Sequence, residues 1–77
     1  MKVQGVFITD AQQRAGREAM VGQFNAHAVR AALTRAGVMG GSPGDYFVER
    51  VADRLMQQER KRGTVRAINN KVWERVA

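Results

Sequence analysis

A chain of 77 residues has room for one domain and a small core. It contains no cysteine, which excludes a disulfide framework and a thiolate zinc site. Thirteen Lys and Arg against seven Asp and Glu give a net charge of +6, a balance that points to nucleic acid, an acidic partner or an anionic surface. Ten of the 13 cations are Arg, which suits bidentate contacts to phosphate or guanine. The charge is spread evenly: residues 1–42 carry five basic and two acidic groups, residues 43–77 eight and five, so only folding can gather a patch.

Lys2 to Thr9 reads as a short strand, with Val3, Val6, Phe7 and Ile8 supplying β propensity and Gly5 weakening it. It offers a third strand to the hairpin expected at the other end of the chain, since two strands alone are marginal. Its apolar run is too short for a signal peptide, and no stretch approaches the roughly 18 apolar residues of a membrane span, so a cytoplasmic location is expected. Thr9 and Gln12 fit a capping box, opening a helix expected to run to about Gly22 or Phe24. Its apolar face is weak, and Gly16 and Gly22 each cost about 1 kcal/mol against Ala, so it leans on tertiary packing. Arg14, Arg17 and Glu18 read as solvated surface. Asn25 caps a second helix whose buried stripe is Ala28, Val29, Ala32 and Leu33, and Gly37 ends it.

After the punctuated stretch from Val38 to Gly44 comes the longest element. Ser42 is a good N-cap, Pro43 suits the first helical position and Asp45 falls in the first turn. Phe47, Val48, Val51, Ala52, Leu55 and Met56 make one apolar stripe. Arg60, Lys61 and Arg62 complement the dipole in the last turn, and Gly63 stops the helix. Thr64–Ile68 and Lys71–Val76 then read as two strands around Asn69-Asn70. A two-residue turn there pairs Ala67 with Val72, Arg66 with Trp73 and Val65 with Glu74; a three- or four-residue loop pairs the strands differently. The expected fold is α+β: three helices and a C-terminal β-hairpin in a single domain over residues 1–77, with an N-terminal strand available to the sheet.

This order, in a small basic chain, resembles the winged helix-turn-helix family of DNA-binding domains over roughly residues 9–77. Ala28, Val29, Leu33 and Val38 carry the resemblance in the second helix and its exit, and Val51, Leu55 and Gly63 carry it in the third. Val65 and Val72-Trp73-Glu74 complete it as a wing. The family implies a third helix in the major groove and a wing on the backbone or minor groove. The chain looks like the small bacteriophage or mobile-element members that regulate transcription. Two features depart from the pattern: a glycine-rich segment where a tight turn is usual, and Asp45, Glu49 and Asp53 near the start of the third helix.

Candidate contacts to double-stranded DNA follow. Tyr46, Arg50, Arg54 and Gln57 recur at helical spacing, and Arg reads guanine as Gln reads adenine. The competing reading is a solvated face with Arg50–Asp53 pairing. Arg60, Lys61 and Arg62 suit a phosphate clamp or simply the helix dipole. Arg66, Asn69, Asn70 and Lys71 suit a wing tip or simply a turn. Trp73 reads as core area and His27 as surface or cap. Glu49 and Asp53 lack a third ligand for a metal, Ser42 reads as a cap, and Gly40-Gly41 lacks the Lys-Ser/Thr of a phosphate loop. No catalytic set, metal or cofactor is expected. Useful specificity from so few base contacts calls for a homodimer. The alternative is a winged-helix adaptor or inhibitor that binds a host or phage protein, which the acidic residues of the third helix favour.

Overall fold

Local signals set most of the helix ends. In the computed structural model, which describes residues 1–39 and 46–76, the capping box at α1 (Asp10–Glu18) is complete. The Gln12 amide donates to Thr9 Oγ1 at 3.1 Å, and the Thr9 amide donates to Gln12 Oε1 at 3.0 Å. Asn25 Oδ1 accepts from the Ala28 amide at 3.0 Å and starts α2 (Ala26–Arg35). α2 and α3 (Phe47–Arg62) end alike, at glycines with φ +90° (Gly37) and +80° (Gly63). In each case the next residue's amide reaches back five residues, the 6→1 bond of a Schellman motif: Val38 N to Leu33 O at 3.0 Å and Thr64 N to Glu59 O at 3.1 Å.

The start of α3 differs from expectation. Tyr46 adopts a left-handed backbone, φ 58°, and contributes no side-chain cap, so the helix opens at Phe47. The expected cap at Ser42, Pro43 and Asp45, like Gly40, Gly41 and Gly44, lies outside the described residues.

The strands depart further. The N-terminal segment does not join the C-terminal sheet. It folds on itself as β1 (Lys2–Val3) and β2 (Val6–Phe7), with Val3 opposite Val6. Gln4 and Gly5, at φ 50° and 79°, supply the two positive φ angles that a type I′ turn needs. The third strand is instead β3 (Gln23–Phe24), in a stretch expected to be the end of α1. The sheet order is β3–β5–β4, with β4 at Val65–Ala67 and β5 at Trp73–Arg75. Pairing to β5 overrides helix propensity there: Phe24 lies opposite Trp73, and Gly22 O accepts from the Arg75 amide at 2.8 Å.

The hairpin register is one residue away from the two-residue-turn pairing. Arg66 faces Glu74, Ala67 faces Trp73 and Val65 faces Arg75. The cause is the Asn69 side chain, whose Oδ1 accepts from the Lys71 amide at 2.8 Å and the Val72 amide at 2.9 Å. An asparagine that bonds the backbone two residues on builds its own turn, and a three-residue connection replaces Asn69-Asn70.

One apolar cluster joins these elements: Ile8, Met20, Val29, Leu33, Val51 and Leu55 are its most deeply buried members. Trp73 is half-buried against it. α1 approaches closely because Gly16 is buried and has no side chain; a Cβ there would stand 2.8 Å from Leu55 Cδ1 and 3.0 Å from Leu33 Cδ2. Among the described residues, no helix is long and apolar enough to cross a membrane.

Candidate nucleic-acid interface

The α3 stripe is partly divided by its neighbours. Tyr46, Arg50 and Asp53 are exposed and Gln57 is half-exposed on the outer side of the helix, opposite Val51 and Leu55. Arg54 turns aside, and its Nη1 donates to Lys2 O at 3.1 Å, tying the N-terminal hairpin to α3. Between hairpin and helix lies an open groove of about 560 Å³, lined by Val3, Gln4, Glu49, Arg50, Asp53, Arg54 and Gln57. Arg50 and Gln57 therefore remain on the stripe, while Arg54 serves mainly as an anchor.

On the other flank, Arg30 of α2 approaches Glu49 of α3, Nε to Oε1 3.9 Å, and so offsets one of the two carboxylates on this part of the helix. Arg30 also lines a small depression with His27, Asn70, Lys71 and Trp73. It thus links the start of α3 to the hairpin tip. Neither Arg30 nor His27 was expected there; the only sequence signal was their position in the first turns behind the Asn25 cap. His27 is exposed, as its surface reading required.

At the tip, Asn70 and Lys71 are exposed, while Asn69 spends its carbonyl oxygen on the turn. Arg66 donates to Glu74 Oε1 at 3.1 Å, across the strand pair. Such an exposed pair contributes little to stability and exchanges readily with another anion. Arg60 and Lys61 are exposed at the end of α3. Arg62 belongs elsewhere: its Nη1 donates to Glu59 Oε2 at 3.2 Å.

Glu59 is the functional-type residue that the pattern concealed. It is only 4% exposed and continues the apolar series of Ala52, Leu55 and Met56. Besides Arg62, it has Thr64 Oγ1 at 3.1 Å from its carboxylate and 3.0 Å from its carbonyl oxygen. A buried carboxylate with these partners ties the end of α3 to β4. Among the described residues, no three of His, Cys, Asp and Glu gather as they would to hold a metal ion.

No protein-family model matches the chain, and no curated protein or solved structure does either.

Proposed function

We propose that the chain is a non-enzymatic DNA-binding protein of winged-helix type, a small regulator of the phage or mobile-element kind. The observation that carries this reading is the junction at Arg30. Arg30 approaches Glu49 in the first turn of α3 and lines one depression with Asn70 and Lys71 of the hairpin tip, which supports a helix and a hairpin presented on one side of a basic chain. In this reading the outer face of α3 enters the major groove. Arg50 reads guanine and Gln57 reads adenine by paired hydrogen bonds. Tyr46 sits at the leading end of the helix. Lys71, Asn70, Arg60 and Lys61 meet phosphates, and Arg66 exchanges Glu74 for a phosphate on contact. Asp53 and Glu49 repel the backbone, and Arg30 moderates that repulsion at Glu49. Few base contacts from one copy favour binding as a dimer on paired half-sites.

Fluorescence anisotropy with labelled duplexes at several salt concentrations tests the proposal. Affinity falls steeply with salt, because each neutralised phosphate releases counterion. Lys71→Ala flattens the log–log salt slope by about one unit on every sequence, whereas Arg50→Ala costs roughly 1–3 kcal/mol on a preferred site and less on random DNA. Duplex binding weaker than about 10⁻⁴ M at low salt defeats the reading. The adaptor reading, favoured by Glu49 and Asp53 on the same face, then leads.

A further inference from the structure

Four arginines converge away from the face just described. Arg14 and Arg17 of α1, Arg62 at the end of α3 and Arg75 of β5 line one open groove of about 610 Å³, together with Glu18 and Glu59. Arg14 and Arg17 are three residues apart and share a side of α1. The other two are held in position: Arg62 by Glu59 at 3.2 Å, and Arg75 by donating from Nη1 to Met20 O at 3.1 Å. The groove also lies on the other side of α3, since Gln57 and Glu59 are two residues apart and point about 200° from one another. A duplex on the outer face of α3 leaves it open.

We propose that this groove binds an acidic segment of a partner protein, a short stretch in which carboxylates alternate with apolar side chains. Guanidinium groups held in place match carboxylates by paired, charge-assisted hydrogen bonds, and little side-chain freedom is lost on binding. Four cations against two carboxylates leave the groove at net +2. Glu18 and Glu59 work against a densely charged polyanion, while spaced carboxylates fit among the four arginines. Val21, 63% exposed on the same rim, offers an apolar contact that a phosphate backbone would not use. The inference stands independently of DNA binding at α3.

The test is a fluorescein-labelled synthetic peptide repeating Glu-Leu-Asp, titrated with the full chain at low salt. Saturable binding is expected, weakened about tenfold or more by Arg14→Ala with Arg17→Ala, the loss of one or two charge-assisted contacts. Arg14→Glu alone, at an exposed position, gives the same reading without disturbing the half-buried Arg17. Arg50→Ala and Lys71→Ala leave peptide binding unchanged. The proposal is overturned by any of three results. The peptide fails to bind; or all these variants weaken it equally, which marks general charge attraction; or a single-stranded oligonucleotide of equal charge binds more tightly with the same dependence on Arg14 and Arg17, which marks a nucleic-acid site.

Discussion

Replacing Gly16 by alanine separates two physical effects of opposite sign. At an open helical position the change gains about 1 kcal/mol, because glycine loses more backbone entropy. Here the new methyl would sit 2.8 Å from Leu55 Cδ1 and 3.0 Å from Leu33 Cδ2. Ordinary carbon contacts lie at about 3.5–4.0 Å, and both leucines are fully buried, so the overlap is relieved only by moving packed side chains or the helix. Overpacking of this kind costs about 1–3 kcal/mol. The sum is a net loss of up to about 2 kcal/mol, or a fall in Tm of roughly 4–8 °C for each kcal/mol in a domain of this size. Urea titration followed by far-UV circular dichroism measures it. Leu55→Val removes the closer of the two overlaps and leaves that with Leu33, so in that background Gly16→Ala costs less than in the unaltered chain, and the double-mutant cycle reports the coupling. A gain of about 1 kcal/mol from Gly16→Ala in the unaltered chain would show that α1 is not in close contact with Leu33 and Leu55.

Two further outcomes follow. Asn69→Ala removes the acceptor for the Lys71 and Val72 amides and costs about 0.5–1.5 kcal/mol, with faster hydrogen exchange at both amides; unchanged exchange would contradict the side-chain-built turn. On the non-enzymatic reading proposed above, the purified protein leaves DNA uncut in the presence of magnesium; cleavage abolished by Glu49→Ala would overturn that reading.

What could be read in the sequence was what local chemistry decides. Thr9 with Gln12, Asn25, Gly37 and Gly63 each satisfy or terminate backbone hydrogen bonds within a few residues, and each does so in the fold. The apolar series from Phe47 to Met56 marked the buried side of α3 for the same reason. β3 was not legible, because a two-residue strand exists only through its pairing with β5, some fifty residues away. The hairpin register turned on one side chain, Asn69, choosing the backbone over a free turn position. Glu59 is a charged residue type, and only its spacing from Leu55 and Met56 marks it for the buried side. The candidate stripe was visible as Tyr46, Arg50, Arg54 and Gln57. Nothing local foretold that Arg54 would hold the N-terminal hairpin, that Arg62 would turn to Glu59, or that Arg30 would meet the hairpin tip.

Backbone amide shifts of the ¹⁵N-labelled chain, titrated with a short DNA duplex, test the central proposal most directly. The account predicts saturable shifts along the outer face of α3, at Arg50 and Gln57, and at Asn70 and Lys71 of the hairpin tip, with Arg14, Arg17 and Arg75 unmoved. Shifts concentrated at those three arginines, or none at all at low salt, would contradict it.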